Sequence, residues 1–326
     1  MPLHIFDNII SFENLLGAWR EFLRGKRKRK DVMLFSIDLL DNILSLHNEL
    51  INKTYRHGPY VAFKINDPKP RDIHKAIVRD RLFHHAIYRI LYPYFDRKFI
   101  FDSYSCRNGK GVHRAVNRLR KYGRIVSKNH TRTVYVLKCD IRKFFASIDH
   151  RVLLDILKKQ VGEGNTIWLL NEVITSFHTK NIPGKGLPLG NLTSQLFVNI
   201  YMNEFDQFIK RGLKAKYYIR YADDFVILHE NKEYLGSLLS EIADFLENKL
   251  QLSLNYDKVF IKTLASGIDF LGWVNFFDHR ILRTKTKNRM IKRIKKNPRP
   301  ETLSSYLGLA KHGNCFKLRN QILKTG

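Results

Sequence analysis

The chain has 326 residues, enough for one large domain or two ordinary ones with a sizeable hydrophobic core. Lysine and arginine number 58 against 30 aspartate and glutamate residues, giving a formal net charge of +28. Self-repulsion on this scale opposes a compact fold unless a polyanion neutralises it, and nucleic acid is the first candidate partner. An anionic membrane surface is the weaker alternative, because no apolar run approaches the length of a spanning helix. The hydrophobic content of 44% excludes a disordered chain.

The N-terminal segment and the cysteines indicate the compartment. The sequence MPLHIFDNII lacks the basic region and apolar core of a secretory signal peptide. Cys106, Cys139 and Cys315 are odd in number and far apart, so they predict neither a disulfide framework nor a zinc site. We therefore expect a reduced, cytoplasmic protein without membrane association.

Basic residues cluster in two places. Lys26 to Lys30 reads KRKRK, and nine of the seventeen residues from Arg283 to Arg299 are lysine or arginine. A basic run is ordinarily a solvated face or a targeting signal. With this net charge, the second cluster predicts contacts with backbone phosphates, and the role of the first stays open. The predicted contact residues in the second cluster are Lys285, Lys287, Arg289, Lys292, Arg293, Lys295 and Lys296.

The middle of the chain alternates strand and helix patterns. Thr133 to Asp140 is rich in Val, Tyr and Leu, which predicts a buried strand, and Val152 to Val161 predicts a short helix. Apolar residues from Leu196 to Ile209 recur at helical spacing. The stretch YIRYADDFVILH then predicts a hairpin, with strands near 217–221 and 225–228.

An amphipathic helix over 235–246 and a strand from about Val259 complete the pattern. With the helix at 196–209 set aside as an insertion, the order is β-α-β-β-α-β, the ferredoxin-like arrangement. Its antiparallel sheet would bring the end of the first strand beside the hairpin turn. We therefore expect Asp140 to lie close to Asp223 and Asp224.

Three carboxylates at one sheet edge in a basic protein predict a site for hard divalent cations. Mg²⁺ prefers oxygen ligands, and two such ions stabilise the attacking and leaving oxygens of an in-line phosphoryl transfer. Because a buried carboxylate is costly unless its charge is compensated, we expect two Mg²⁺ ions (or Mn²⁺), rather than a lysine or arginine of the chain, to compensate these acids. A plain polar turn is the alternative for Asp223 and Asp224.

Other motifs in the chain decide between a metal site and a polar turn. YADD between apolar strands resembles the catalytic motif of reverse transcriptases. The other blocks of that family appear in order and are similar to KPRDIHKAIVRDRLFHHAI (Lys69 to Ile87), SYSCRNGKGVHRAV (Ser103 to Val116), LKCDIRKFFASIDH (Leu137 to His150), GLPLGNLTSQLFVNIY (Gly186 to Tyr201), LSLNYDK (Leu252 to Lys258) and FLGW (Phe270 to Trp273). The resemblance runs from about residue 55 to about 275.

The resemblance implies an α+β, right-hand polymerase fold with fingers, a ferredoxin-like palm and a small helical thumb. Residues 1–130 would form an N-terminal extension and the fingers, which return at about 160–195. Residues 131–275 would form the palm, and 276–326 a basic helical thumb. The reaction would be RNA-directed DNA synthesis from dNTPs on a template RNA with a primer or cDNA duplex.

The resemblance also assigns roles to individual residues. Asp140, Asp223 and Asp224 match the catalytic metal ligands, with Asp223 indispensable and Asp224 more tolerant. Three residues match single nucleotide-binding positions: Arg71 at the triphosphate, Phe145 at the steric gate that excludes a ribose 2′-OH, and Lys258 near the leaving phosphates. The block that contacts the nascent base pair is matched by Leu189, Gly190 and Gln195. Lys69 and Arg107, in the first two blocks, are expected to contact nucleic acid.

The fourth block points to a subfamily. Many relatives have a glutamine where Leu189 stands and a proline where Gln195 stands. The pattern G-x-x-x-S-Q resembles the reverse transcriptases of diversity-generating retroelements, as does a length with little room for an added endonuclease or ribonuclease H segment. Such enzymes copy a template-repeat RNA with errors at adenines and work with a small, basic helical-bundle protein. They are encoded by bacteria, archaea or phages.

Other functions stay open at the level of the sequence. A group II intron-like or retron reverse transcriptase is the nearest alternative. A catalytically inactive, RNA-binding polymerase scaffold is disfavoured, because such scaffolds tend to lose the acids that remain here at Asp140, Asp223 and Asp224. A simple basic RNA-binding module is supported by charge alone, without a base-stacking motif.

Overall fold

The computed structural model describes residues 4–66, 70–180 and 182–325, with side chains to residue 323. Lys69, one of the predicted nucleic-acid contacts, lies outside the described residues. The helices in chain order are α1 (Ile5–Ile10), α2 (Phe12–Phe22), α3 (Lys30–Ile37), α4 (Leu39–Ile51), α5 (Val78–Asp96), α6 (Val112–Val126), α7 (Phe144–Ser147), α8 (His150–Val161), α9 (Gly164–Thr175), α10 (Leu192–Gln207), α11 (Lys232–Leu250), α12 (Thr284–Lys296), α13 (Pro300–Ala310) and α14 (Phe316–Thr325).

The strands form three antiparallel sheets. A hairpin is followed by a four-stranded sheet and then by a three-stranded sheet. The strands in chain order are β1 (Tyr60–Ile65), β2 (Arg71–Ala76), β3 (Tyr135–Asp140), β4 (Tyr218–Tyr221), β5 (Asp224–His229), β6 (Phe260–Thr263), β7 (Ile268–Phe270), β8 (Trp273–Asn275) and β9 (Arg280–Leu282).

The chain divides into two compact units. One comprises Met1–Ile100, Arg142–Gln207 and Asp244–Ser253, and the other comprises Phe101–Ile141, Phe208–Ala243 and Leu254–Gly326. Each unit is therefore assembled from segments that are distant in sequence. The division into fingers, palm and thumb at residues 130 and 275 stays a prediction.

In the second unit, the four-stranded sheet has the order β4-β5-β3-β6. Every neighbouring pair is antiparallel. With the intervening helices α8 and α11, this is the ferredoxin-like order that the sequence predicts. Its two central strands are buried along most of their length, as the Val- and Ile-rich composition requires.

Helix α6 packs on one end of one face of this sheet. It contributes Ala115, Leu119, Tyr122 and Val126 to a core that also contains residues of β3, β4 and β5. Along β3 and the residue before it, every second side chain points to this face. Val134 and Val136 lie under α6, and Lys138 and Asp140 follow them on the same face. The sheet face is thus apolar under the helix and polar beyond it.

The three-stranded sheet and the C-terminal helices form a separate core around Trp273. That indole is 1% exposed and packs with residues of α12, α13 and α14. The segment FLGW is the β7–β8 turn, with Phe270 paired to Trp273 and positive φ angles of 54° at Leu271 and 85° at Gly272. Positive φ at both central residues is what a type I′ hairpin turn requires.

The first unit is mainly helical and is built around α5, against which α1, α2, α3 and α10 pack. Asp80 on α5 is fully buried and accepts hydrogen bonds from the Tyr55 hydroxyl (3.0 Å), the Gly58 amide (2.8 Å) and Arg79 Nε (3.2 Å). This satisfied carboxylate fixes the segment that leads into the β1–β2 hairpin. Within the described residues, no helix is both long and apolar enough to cross a membrane.

The α13–α14 hairpin supplies a stability test with an internal control. In Gly313→Ala, the new methyl group would overlap Cζ3 of Trp273 and lie 2.9 Å from the carbonyl oxygen of Arg280. We expect a loss of about 1 to 3 kcal/mol in the free energy of unfolding. Gly308→Ala on α13 meets no atom within 4 Å and should gain about 0.5 to 1 kcal/mol from helix propensity. Urea unfolding measures both changes, and equal effects would contradict the packing at Gly313.

Candidate active site

The strand register places the three acids at one end of the central strand pair. Asp140 on β3 is paired with Asp224 on β5, and directly opposite residues of antiparallel strands project from the same face. The Ile141 amide donates to the carbonyl oxygen of Asp223 at 3.3 Å, so the turn residue is joined to the end of β3. The proximity expected of these three residues is therefore present in the backbone.

The turn that carries Asp223 has a strained backbone. Tyr221 pairs with Asp224, which leaves Ala222 and Asp223 as a two-residue loop. Ala222 has a φ of 55°, a region that costs an alanine about 1 kcal/mol or more. Such a cost persists only where the surroundings impose the conformation, and it is common at functional sites.

The buried Arg220 side chain stabilises this turn by hydrogen bonds. This role was not predicted from the sequence. Arg220 is fully buried, and its guanidinium donates to the carbonyl oxygen of Ala222 at 3.2 Å and to Ser103 Oγ at 3.0 Å. The Arg220 amide also donates to the carbonyl oxygen of Asp102. The sequence does contain a signal for this role, which is an arginine inside a run of strand-forming residues. A cation buried in a strand requires fixed hydrogen-bond partners.

Two lysines of the chain neutralise the carboxylates, which corrects the expectation that only metal ions would do so. Lys138 Nζ lies 2.9 Å from Asp224 Oδ1, and Lys258 Nζ lies 2.6 Å from Asp140 Oδ1. Asn255 Nδ2 also donates to Asp140 Oδ1 at 3.2 Å. Lys138 stands two residues before Asp140 on the same strand face, diagonal to Asp224, and this spacing is the signal that could have identified it.

Asp223 carries the uncompensated part of the charge. Burial, followed by the charges of Asp224 and Asp140, raises the pKa of Asp223 to about 6, although its own backbone amide and Lys258 act in the opposite direction. For Lys258, burial alone would lower the pKa. The hydrogen bond and charge of Asp140, with the other two acids, more than reverse this and raise the pKa above its usual value.

The donor set fits a hard divalent cation by its chemistry. Carboxylate oxygens are the ligands that Mg²⁺ and Mn²⁺ prefer, and the raised pKa of Asp223 reflects negative charge that a cation would relieve. In the part of the chain that the structure describes, no three His, Cys, Asp or Glu side chains are gathered into a metal-binding group. One oxygen of Asp140 and one of Asp224 contact lysines instead, so a cation would compete with Lys258 and Lys138 for these two oxygens.

Most residues predicted to contact the nucleotide lie in the first unit, whereas Lys258 lies in the second. The carbonyl oxygen of Leu189 accepts from the His74 amide at 3.0 Å, and the Asn191 side chain donates to the carbonyl oxygen of His74 at 2.8 Å. Gly190 has a φ of 107°, and a Cβ there would lie 2.8 Å from Ile73 Cγ2. The loop is therefore fixed against β2, the strand that begins with the exposed Arg71.

Phe145 and Gln195 are both partly accessible. Phe145 lies on α7 beside Phe144, with ring centroids 5.6 Å apart. Phe144 is only 4% exposed and belongs to the core, whereas Phe145 is half-buried and can contact a ligand. The carbonyl oxygen of Phe145 accepts from the Leu187 amide at 2.8 Å, which joins α7 to the segment before Leu189. Gln195 is half-buried on α10.

The predicted phosphate contacts of the C-terminal cluster lie on one helix. Met290 and Ile294 of α12 are buried in the core around Trp273, while the cations of that helix are exposed. The exposed set is Lys285, Lys287, Arg289, Lys292, Arg293, Lys295 and Lys296. Arg107 is half-buried and donates to the carbonyl oxygen of Ser103 at 3.0 Å, so its own loop holds it. In the Lys26–Lys30 run, Lys26 donates to the carbonyl oxygen of Phe22 at 2.9 Å.

Comparison with known proteins identifies the family. A family model described as reverse transcriptase (RNA-dependent DNA polymerase) matches residues 65–274. Protein YkfC of Escherichia coli K12 is 27% identical over 282 residues, which cover 74% of this chain and 71% of that protein. The group II intron-encoded protein LtrA of Lactococcus lactis is 23% identical over 321 residues, which cover 76% of this chain and 51% of LtrA.

Solved structures with the same fold include telomerase from Candida albicans in complex with a fragment of telomeric RNA. The TM-score is 0.55 at 13% identity, covering 83% of this chain and 55% of that chain. The chain thus spans about half the length of LtrA and of the telomerase. The structural matches confirm the right-hand polymerase fold, and the family model confirms the enzyme class, RNA-directed DNA polymerase. The chain belongs to the reverse transcriptase (RNA-dependent DNA polymerase) family.

Proposed function

We propose that the chain extends a primer on an RNA template, with Asp140, Asp223 and Asp224 as the catalytic carboxylates. The observation that carries this proposal is the pairing of Asp140 with Asp224 beside a strained turn in which Asp223 has a pKa of about 6. The reaction is attack of the primer 3′-OH on the α-phosphate of a dNTP, with pyrophosphate leaving. Catalysis rests on positioning and charge neutralisation rather than on a protein nucleophile.

The carboxylates would hold two Mg²⁺ ions, or Mn²⁺. When bound, the ions neutralise the charge that develops on the transferred phosphate and its leaving group. Arg220 keeps Asp223 at the turn by fixing Ala222. Lys258, which contacts Asp140 at 2.6 Å, would offer its charge to the leaving phosphates.

The remaining predicted residues would select and position the nucleotide. Arg71, exposed at the start of β2, would bind the triphosphate, and the half-buried Phe145 would exclude a ribose 2′-OH. Gly190 gives the base pair close access to the backbone, because its positive φ and its approach to Ile73 disfavour a side chain there. Gln195 would contact the same base pair. The cations of α12, with Lys69 and Arg107, would contact the template–primer backbone.

Within the family, we propose that the chain serves a diversity-generating retroelement. It would copy a template-repeat RNA into cDNA with errors at adenines, for mutagenic retrohoming. The support is the segment Gly190 to Gln195, which ends in Ser-Gln, and the apolar Leu189 before it. Leucine cannot make a side-chain hydrogen bond near the incoming base, and losing a directed polar contact weakens discrimination between bases.

A group II intron-like or retron reverse transcriptase is the second candidate. The similarity to LtrA, a group II intron-encoded protein, favours it. Either enzyme would act in the cytoplasm of a cell that carries the element. The retroelement proposal adds a small, basic helical-bundle protein as a partner, and two near-identical repeats that differ at adenines in the neighbouring DNA would distinguish it from the alternative.

Substitution of the turn aspartate tests the polymerase proposal. Asp223→Asn should lower primer extension on an RNA template at least about 10²- to 10³-fold, because it removes a charged metal ligand. Asp224→Asn should lower it less. The control is Asp41→Asn, an exposed carboxylate on α4 outside the family's motifs, which should extend at the wild-type rate. Extension by Asp223→Asn at the control rate would refute the assignment.

Substitution of Leu189 tests the origin of adenine errors. Leu189→Gln restores an amide at this position and should lower misincorporation opposite template adenine by about tenfold. Leu189→Met, which stays apolar at similar volume, should keep the wild-type error frequency. Sequencing of cDNA copied from one RNA measures both, and an unchanged error frequency in Leu189→Gln would remove this residue from the explanation.

The raised pKa of Asp223 predicts a pH-dependent cost to the metal-free fold. A carboxyl whose folded-state pKa of about 6 exceeds its unfolded value favours the fold below pH 4, and this contribution is lost as the pH rises through 6. Without divalent ions, Asp223→Asn should therefore be more stable than wild type by about 1 to 3 kcal/mol at pH 8 and equal to it near pH 4. Denaturant unfolding in EDTA measures this, and a difference independent of pH would contradict it.

A further inference from the structure

The outward face of α6 is a stripe of cations that the polymerase proposal does not use. Asn117, Arg120, Lys121 and Arg124 are exposed, and their spacing of three and four residues places them on one side of the helix. The other side of α6 packs into the sheet core. No acidic residue occurs anywhere in this helix.

The stripe forms one wall of a cavity of about 850 Å³. The remaining, aromatic wall comes from Asn129, His130 and the Phe277–Asp278 segment after β8. Ile125 of α6 also lines the cavity and is 45% exposed. The His130 and Phe277 rings meet edge to face with centroids 5.0 Å apart. Cations thus line the same groove as apolar and aromatic side chains, in a space as large as a typical ligand site.

Within the described ranges, the cations that line this groove have no partner of opposite charge. Among the described residues, Arg120, Lys121 and Arg124 form no salt bridge with a carboxylate. Arg118, on the same helix, is by contrast paired with Asp102 at 2.7 Å. Burial, and then the charge of Arg120, lowers the pKa of the neighbouring Arg280. Cations concentrated in this way favour an anionic ligand.

The aromatic wall is preorganised by a strained turn. Lys128, Asn129 and His130 have consecutive positive φ angles of 48°, 58° and 72°. Arg124 Nε donates to Asn129 Oδ1 at 2.9 Å, and the His130 amide donates to Ser127 Oγ at 2.8 Å. These bonds impose a conformation that non-glycine residues rarely adopt, and strain of this kind is common at binding sites.

We propose that this groove binds single-stranded RNA outside the polymerase active site. A row of cations beside a stacking surface is the combination by which proteins hold single strands. The walls also carry the side-chain amides of Asn117 and Asn129, whose oxygens accept hydrogen bonds from Arg280 and Arg124. Their NH2 groups can donate to a ribose 2′-OH, which DNA lacks. A basic protein partner would be repelled here. Template RNA that extends beyond the copied segment is the fitting occupant.

Removal of the cationic stripe tests the proposal. The variant Arg120→Ala, Lys121→Ala, Arg124→Ala should bind a labelled, unstructured RNA of about 12 nucleotides at least tenfold more weakly at about 0.1 M salt. The slope of log Kd against log salt should fall by about 2, because each lost phosphate contact removes about 0.7. Arg120→Ala with Lys121→Ala keeps the Arg124–Asn129 bond and should show most of the loss. Fluorescence anisotropy measures both variants.

A matched control removes three other exposed cations. Lys159→Ala, Lys232→Ala, Lys249→Ala changes the net charge equally, at exposed positions that do not line the groove, and should stay within about twofold of wild type. Extension of a short primer–template should stay within the same range for the stripe variants. Wild-type RNA affinity and slope in the stripe variants would overturn the proposal. So would an equal loss for DNA of the same sequence, or an equal loss in the control.

Discussion

The second unit has to stabilise negative charge at the end of a buried strand pair, and the side chains around that point are arranged accordingly. Asp140 and Asp224 face each other across β3 and β5, and Asp223 follows in the turn. Without compensation, such a group of acids would oppose folding. Lys138 and Lys258 each neutralise one carboxylate, and the charge that remains falls on Asp223. The fold therefore tolerates the acids while keeping one of them poorly compensated.

This arrangement links the folded state to the chemistry. A carboxylate fully paired with lysines would have little to gain from a cation, whereas a partly compensated group gains much. The strained Ala222 and the buried Arg220 add to the same picture, because both fix the turn at a cost in conformational freedom. Proteins retain local strain and residual charge where the free energy of ligand binding offsets their cost.

Helix α6 gives the second unit two surfaces with different charge environments. Its apolar side covers one end of the sheet face, beyond which Lys138 and Asp140 emerge. Its outer side presents Arg120, Lys121 and Arg124 without acidic partners among the described residues. The positive charge of the chain is therefore not spread evenly. Two helices, α6 and α12, are enriched in cations, and their opposite sides are held in apolar cores.

The sequence by itself determined the strand order, the position of the acids and the family, because hydrophobic periodicity and motif spacing are local properties. The pairing of Asp140 with Asp224 followed from the topology that this periodicity implies. Only the tertiary structure revealed that Lys138 and Lys258 neutralise the acids, since ion pairs depend on side-chain direction across strands and turns. It also decided that Arg220 supports the turn and that the stripe on α6 lines one groove with Phe277. The bond of Arg220 to Ser103, the contact of Lys258 with Asp140 and the groove join residues far apart in the chain, which no local pattern encodes.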